Sequence, residues 1–427
     1  MNNVVTIRSG KSGEVKEKRL IVSVDIAGAK HTGYYRCPDG SDITPFDFAN
    51  STQGFNLFWK RIEKARKDNG LKKIVVGYEP TGPYAEPLAH FLSKKGVNLV
   101  QVNPMHTKRL KELQGNSPLK TDPKDAKVIA DIIGLGHALT VVIPQGAAAD
   151  LRRLSLARER ALARCNALNN QLQDLVYITF PEFIQVMRGI RTKTARHLLF
   201  FFTTPCAIAE LGPDKLADIV KQVSRGKIKR DRGKQLWLAA KNSVGIQEGL
   251  ESIALEMKEL LSLIDCCEQF IAKLTINMEV KLIEVPYSRY LLSLKGVSTI
   301  TTAGMIGEVG DFKRFKTIRE IIKYAGLNLY EISSGKQQRG DKRISKRGRH
   351  LMRKLLFFAS LSMVKKGGIM HRKYRDYLDR GMPKIKALVA IMRKLLILMF
   401  ALVRDANVYI ENYQEQQKIQ YQLKEVA

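Results

Sequence analysis

Short apolar runs alternate with helical patterns along the first third of the chain. Four runs predict strands, at 19–27 (RLIVSVDIA), 31–37 (HTGYYRC), 72–78 (KKIVVGY) and 97–102 (VNLVQV). Apolar residues at helical spacing predict helices within 54–67, over about 84–95 and from Asp122 to about 135. Asp122, Pro123 and Asp125 are start signals for the last of these helices. Strands that alternate with helices indicate an α/β domain over residues 1–145.

The pattern changes to long apolar stripes after about residue 147. One stripe recurs at helical spacing through Leu151, Leu154, Ala157, Ala161, Leu168, Leu172 and Leu175. A second fits about 246–283, with a less regular insertion at 180–245 between them. We therefore expect a long helical hairpin or coiled coil over 146–285.

Residues 286–405 predict a mostly helical C-terminal domain, and 406–427 form a polar tail. The stretch 291–312 predicts a helix, a tight turn at Gly296 and a second helix. This pattern fits two structures equally well. One is a helix-hairpin-helix, in which the amides of Val297 and Ser298 contact a phosphate. The other is an ordinary helical connection. A further helix should end at Gly326, and another should begin near Leu351.

The net charge of the chain predicts the kind of partner that it binds. Lys and Arg number 72 against 41 Asp and Glu, which gives a net charge of +31, while 44% of the residues are hydrophobic. A folded chain this basic favours a polyanion: DNA, RNA or an anionic membrane. The late apolar stretch is interrupted by Arg393 and Lys394, which argues against a membrane span. The N-terminal residues lack an apolar signal region, so we expect a cytoplasmic protein.

The five cysteines form no CxxC pair and have no accompanying His cluster. This spacing argues against a structural zinc site and against a disulfide framework of the secreted kind.

Four carboxylates occupy positions that could converge. Asp25 ends the first predicted strand, Glu79 follows a later strand, and Asp122 and Asp125 share a face at the start of a helix. Each acid alone is explained by a strand end, a turn or a helix cap. Four carboxylates at one point need a cation, and oxygen ligands favour Mg²⁺ or Mn²⁺. Their order along the chain is the layout of the ribonuclease-H-like nuclease fold.

A serine loop lies between two predicted helices of the C-terminal domain. It contains Ser333, Ser334 and Gly335, and one acid, Asp341, follows. Nine basic residues surround that acid, at 336, 339, 342, 343, 346, 347, 349, 353 and 354. Such density indicates phosphates nearby. A Ser-Ser-Gly loop alone is more often a turn than a nucleophile, because a serine hydroxyl needs activation.

Two signatures in this order resemble the Asp-Glu-Asp-Asp insertion-sequence transposases, which are related to the Piv DNA invertases and to the bridge-RNA-guided recombinases. The first comprises VDIA at Asp25, GYEPTGPY at Glu79 and KTDPKDAKVIA at Asp122 and Asp125. The second is YAGLNLYEISSGKQQRGDKRISKRGRHLMRKLL, preceded by GVSTITTAGMIGEVGDFKRF. The resemblance implies an N-terminal domain like that of the RuvC Holliday-junction resolvase. The insertion at 180–245 has no clear counterpart in it.

The resemblance also implies a chemistry. The enzyme would excise and integrate its own element, with magnesium bound by Asp25, Glu79, Asp122 and Asp125. A serine, here Ser334 with Ser333 as the alternative, would attack a DNA phosphate and form a covalent link. An element-encoded guide RNA would choose donor and target DNA.

The long helices suggest a dimer or tetramer, and the acids and the serine would act together within one protomer or across two. Two other functions stay open: a metal-dependent nuclease for branched DNA that uses water, and a non-catalytic nucleic-acid-binding protein.

Overall fold

The structure is a computed structural model that describes residues 19–37, 39–41, 43–80, 82–114, 122–330, 333–334, 337–338 and 343–411. The chain divides into two compact units. The first comprises the chain up to Gln145 together with Glu308–Tyr324, and the second comprises Gly146–Gly307 and the chain from Ala325 onward.

A six-stranded sheet is the centre of the first unit. Its strands are β1 Arg19–Asp25, β2 Lys30–Arg36, β3 Phe46–Ala49, β4 Lys73–Tyr78, β5 Asn98–Gln101 and β6 Leu139–Thr140. They lie in the order β3-β2-β1-β4-β5-β6. Strands β1, β4 and β5 are parallel, and the other pairs are antiparallel. The four strands expected from the sequence are confirmed. The short β3 and β6 were not predicted, because four and two residues are too few to show a period.

Helices cover both faces of this sheet. They are α1 Thr52–Asp68, α2 Ala85–Lys94, α3 Pro104–Gln114 and α4 Asp122–Gly134. Alternate residues of β1 point to opposite faces. Leu20, Val22 and Val24 join one buried cluster with α1 and α2, and Ile21 packs against another cluster formed with α4. The predicted α/β architecture of this part of the chain is confirmed.

Two long helices, α5 Ala147–Thr179 and α11 Leu250–Ile283, form a hairpin in the second unit. Asp150 Oδ2 lies 3.4 Å from Lys281 Nζ, and Arg158 Nε donates to Thr275 Oγ1 at 3.2 Å. Positions that rise along α5 meet positions that fall along α11, so the helices are antiparallel. The part of the chain after the sheet domain is mostly helical, as expected.

The insertion between the long helices, where the sequence pattern is less regular, is helical. It folds into five helices, α6 Pro181–Met187, α7 Lys193–Phe201, α8 Pro205–Glu210, α9 Pro213–Val223 and α10 Arg230–Lys241. Proline stands in the first turn of three of them. Helices of 6 to 12 residues with frequent turns leave no sustained hydrophobic period along the sequence.

The C-terminal part is mostly helical, as expected. Its helices are α12 Ser288–Leu292, α13 Thr299–Val309, a 3-10 turn at Phe312–Arg314, α14 Ile318–Ala325, α15 His350–Met363, α16 His371–Asp379 and α17 Lys384–Arg404. Within the described ranges, no helix is both long enough and apolar enough to cross a bilayer.

The turn between α12 and α13 is where the two alternatives for this stretch differ. Gly296 has φ +96°, as its place in a tight turn requires. The Val297 amide donates to the Leu294 carbonyl at 3.0 Å, and Ser298 Oγ accepts from the Thr301 amide at 3.1 Å. The Val297 amide is therefore engaged within the turn, which favours an ordinary helical connection over a phosphate-binding hairpin.

Candidate functional site

Asp25 and Glu79 lie side by side at one edge of the sheet. Strands β1 and β4 are parallel, with Ser23 opposite Gly77 and Val24 opposite Tyr78. Asp25 and Glu79 are the next residues along, and both are half-buried. Neighbouring strands are about 4.8 Å apart. The structure thus brings together two of the predicted site residues at the carboxyl ends of adjacent strands.

The first turn of α4 lies at the same edge. Ser23, fully buried, donates from Oγ to the Ala126 carbonyl at 2.6 Å. Gly77 faces the far end of the same helix, because a Cβ there would lie 2.3 Å from Ile133 Cδ1. Asp25 and Glu79 follow Ser23 and Gly77 by two positions, which returns them to the face that α4 covers.

The direction of α4 relative to β1 indicates where its first turn lies. Asp122 precedes Ala126 by about 6 Å of helix axis. Asp25 lies about 6.6 Å beyond Ser23 along β1. The helix runs antiparallel to the strand, since Gly134 lies near Ile21 at its other end. The first turn of α4, with Asp122 and Asp125, therefore lies on the Asp25 side of Ser23 along β1.

A lysine is bound to one of the predicted ligands. Lys111 Nζ on α3 lies 2.6 Å from Asp125 Oδ1, and the Asp125 side chain is 13% exposed. The ammonium group offsets part of the carboxylate repulsion. In the described part of the chain, no group of three or more His, Cys, Asp and Glu side chains is placed to hold a metal ion. The Asp122 side chain lies outside that part.

The donor set nevertheless suits a divalent cation. Asp25 and Glu79 offer carboxylate oxygens at the ends of adjacent strands, and hard cations such as Mg²⁺ prefer such ligands.

A buried histidine fixes the turn that follows Asp25. The Ala27 amide donates to His31 Nδ1 at 3.3 Å. Burial lowers the pKa of the His31 imidazole below its usual value. A neutral ring can accept this hydrogen bond, and a protonated one cannot. His31 is thus a structural support of the sheet edge.

The serines lie in a β-hairpin of the second unit. Leu329–Tyr330 (β7) pairs with Arg343–Ile344 (β10), and Ser333–Ser334 (β8) pairs with Gln337–Gln338 (β9). Backbone pairing joins Ser334 to Gln337. The side chains of Ser333 and Ser334, and the residues between the paired segments, lie outside the described residues.

Arg353 fastens the base of this hairpin. Its Nη1 donates to the Ala325 carbonyl at 3.0 Å and to the Gly348 carbonyl at 2.9 Å, one from each side of the loop. Burial lowers the pKa of the guanidinium below its usual value. Lys354 forms an ion pair with Glu159 on α5. Arg353 and Lys354, two of the basic residues near the serines, are therefore bound within the protein. Arg343, Lys346 and Arg347 are exposed.

Several of these residues were not singled out from the sequence. Ser23 could have been found, because it precedes Asp25 by two positions in an alternating strand. Lys111 and Arg353 carried no such signal, because their partners are set by the packing of separate helices and loops.

Comparisons with known proteins identify a family. A family model of IS110 type, described as "Transposase", matches residues 22–181. A second, described as "Transposase IS116/IS110/IS902 family", matches 288–375. The first match contains all four candidate acids, and the second contains Ser333 and Ser334.

Two curated relatives come from Streptomyces coelicolor. The insertion element IS110 uncharacterized 43.6 kDa protein is 22% identical over 400 residues, which cover 93% of this chain and 96% of the relative. The mini-circle putative transposase for IS117 is 24% identical over 291 residues, 65% of this chain and 70% of the relative. The two family models together span more than half of the sequence, in the same order as the two signatures. The chain belongs to the IS110/IS116/IS902 family of transposases.

Proposed function

We propose that this transposase is a magnesium-dependent recombinase that excises and integrates an insertion sequence through a covalent serine–DNA intermediate. One observation carries the proposal: Asp25 and Glu79 end adjacent parallel strands on the face covered by the helix of Asp122 and Asp125. The strand order β3-β2-β1-β4-β5 supports a ribonuclease-H-like, RuvC-like catalytic domain.

The four carboxylates would hold the cation and orient it toward a DNA phosphate. Bound magnesium supplies stabilisation of the charge that develops on the phosphate oxygens, and Mn²⁺ can replace it. Before binding, Lys111 pairs with Asp125 and reduces the repulsion among the acids. Ser23 and Gly77 keep α4 close to the sheet, which supports a placement of its acidic first turn near Asp25 and Glu79.

Ser334 would supply the attacking oxygen. Its Oγ forms a bond to phosphorus, its proton leaves to a base, and the phosphorus–oxygen bond to one deoxyribose breaks. The phosphate stays a diester and links the protein to DNA, which conserves the bond energy for rejoining. The hairpin supports this role, because Arg353 fixes both sides of the loop that carries the serine.

The proposal also includes a guide RNA and a homo-oligomer of the protein. A bound RNA would select donor and target by base pairing, while the protein contacts shape and phosphate. The net charge of +31 supports a large nucleic-acid partner. The active form would be a homodimer or homotetramer.

The decisive test is to trap the adduct with DNA on denaturing gels in the presence of Mg²⁺. Ser334→Ala should abolish the adduct and spare nucleic-acid binding, while Ser333→Ala should retain both. Asp25→Asn, Glu79→Gln and Asp125→Asn should each abolish adduct and cleavage. Asp68→Asn, which changes an exposed acid on α1, is the matched control.

The outcomes separate the alternatives. An adduct lost only in Ser333→Ala moves the nucleophile by one position. Cleavage without an adduct that persists in both serine variants indicates a metal-dependent nuclease using water. Normal activity after Asp125→Asn removes this residue from the metal site.

A further inference from the structure

The helices α6 to α10 form a helical module between the two long helices, and residues 182–245 lie outside both family matches. The buried side chains of the module share one cluster with α5 and α11. Its core includes Leu216, Val220 and Leu236, all fully buried. Helices α9 and α10 cross at their backbones, since a Cβ on Gly233 would lie 2.5 Å from Ala217 Cα. The pair is therefore tightly packed.

The turn between these two helices has a defined shape. The Gly226 amide donates to the Lys221 carbonyl at 2.8 Å. The Ile228 amide donates to Ser224 Oγ at 3.0 Å. Arg225 adopts the left-handed conformation, φ +54°, which reverses the chain after α9. Hydrogen bonds thus hold the turn in one conformation before any partner binds.

Basic side chains crowd this turn, and we name residues 221–232 the basic turn. It contains one acid, Asp231, and six basic residues, at 221, 225, 227, 229, 230 and 232. Four of the six are exposed: Lys221, Arg225, Lys227 and Lys229.

Among the described residues, the acids of α9 pair with Arg230 and Lys234 and leave the other basic residues of the turn without a carboxylate. Asp214 on α9 lies 3.3 Å from Arg230 and 3.1 Å from Lys234, and Asp218 also pairs with Arg230. Through the described part of the chain, no carboxylate lies within 4.0 Å of the ammonium and guanidinium groups of Lys221, Arg225, Lys227 and Lys229. The positive charge of the basic turn is concentrated at its exposed tip, where an anionic partner would neutralise it.

We propose that the basic turn binds the sugar-phosphate backbone of double-stranded DNA. The turn contains no aromatic residue, so it offers unpaired bases no stacking surface and suits a duplex rather than a single strand. The family is a family of transposases, whose substrate is DNA. Phosphate contacts of this kind are independent of sequence and fix the protein on the duplex.

This inference goes beyond the proposed function, because it requires neither the metal nor Ser334. It can therefore be measured in chelator and in the Ser334→Ala background. If the covalent mechanism fails its test, DNA binding by the basic turn is unaffected. If DNA binding by the basic turn fails its test, the covalent mechanism is unaffected.

The test compares two triple variants of the full chain that lose the same charge. One is R225Q/K227Q/K229Q. The control is K60Q/K64Q/K67Q, which removes three exposed lysines from α1. Affinity for a duplex DNA is measured by fluorescence anisotropy as a function of salt. Thermal unfolding is recorded for both, and it should match the parent because the replaced side chains are exposed.

The turn variant should bind duplex DNA roughly ten- to a hundred-fold more weakly near physiological salt. Its plot of log K against log salt should be shallower by about 2 to 3, since each lost phosphate contact reduces the slope by about 0.9. An equal loss of affinity in the control variant would show that the effect comes from net charge and not from the basic turn. An unchanged affinity, or a loss confined to duplex RNA, would overturn the proposal.

Discussion

Single side chains set the positions of the candidate ligands. Ser23 ties the start of α4 to β1 through one buried hydrogen bond, and Lys111 holds the Asp125 carboxylate. Neither residue is an acid, yet both determine where the acids lie. Arg353 has the corresponding role for the serine hairpin, because it binds carbonyls on both sides of the loop.

Glu182 fixes the base of the inserted module and makes its stability depend on pH. Burial alone would raise the pKa of the Glu182 carboxyl. Hydrogen bonds from the Val244 amide, 3.0 Å, and from Ser243 Oγ, 2.8 Å, outweigh burial and hold the pKa below its usual value of 4.5. The ionised form is therefore favoured in the folded chain. Its contribution to stability is complete above pH 4.5 and is lost as the pH falls through the folded value.

Glu182→Gln should accordingly lower the free energy of unfolding by about 1 to 2 kcal/mol at neutral pH. The difference from the parent should vanish in acid, as measured by urea unfolding at several pH values. Glu210→Gln, which changes an exposed acid of the same module, serves as the control and should be neutral throughout. A Glu182→Gln deficit that persists at low pH would contradict this account.

At the scale of elements, the packing of α4 on the sheet governs the candidate site. The helix approaches closely because Gly77 has no side chain. A Cβ at this position would lie 2.3 Å from Ile133 Cδ1 and 2.9 Å from Val100 Cγ2, both within a buried cluster. Any side chain there must displace the Ile133 and Val100 side chains that pack α4 on the sheet.

Gly77→Ala should therefore destabilise the protein by about 1 to 3 kcal/mol and reduce metal-dependent cleavage. Gly134→Ala on the same helix is the matched control, since its Cβ would meet only Ile21 Cδ1, at 3.8 Å. Because alanine favours a helix over glycine, the control should be neutral or slightly stabilising. Urea unfolding and a cleavage assay measure both effects. Equal stability of the two variants would show that α4 accommodates a side chain at position 77.

At the scale of the whole molecule, charge and modularity indicate how nucleic acid is handled. The chain carries a net charge of +31 and contains a basic helical module beyond the family matches. No segment of the sequence predicts a recognition helix with a clear base-contacting face. The proposed guide RNA, which selects the DNA sequence by base pairing, accounts for a high positive charge without a recognition helix.

The guide proposal predicts that a defined RNA accompanies the purified protein. We expect sequencing of RNA that copurifies at moderate salt to recover one enriched transcript from beside the element. Its affinity should fall steeply with salt, since binding releases counterions from several phosphates. Ribonuclease treatment should abolish recombination and leave the protein folded. If only random cellular RNA is recovered and recombination stays complete after ribonuclease treatment, the guide proposal is contradicted. The protein would then be a DNA recombinase that needs no RNA.

The sequence by itself determined the larger elements and the candidate chemistry. Strands β1, β2, β4 and β5 and helices α1, α2, α4, α5 and α11 follow from periods long enough to be visible. The candidate acids stand out because each comes directly at the end or start of such an element. The family resemblance added Ser334, which periodicity and composition alone leave as a turn residue.

Tertiary structure decided what depends on contacts between distant residues. Short elements such as β3, β6 and the helices of the inserted module gain their stability from packing rather than from local pattern. Residues Glu308–Tyr324 join the first compact unit although they follow it by more than 160 positions, and Gly310 would place a Cβ 3.6 Å from Val142 Cγ1. The pairings Lys111–Asp125 and Ser23–Ala126 are likewise set by how helices pack on the sheet. Local sequence encodes the preference of each segment for helix or strand. Which element packs against each apolar face is decided only when the chain folds, because distant segments then bury their apolar surfaces against one another.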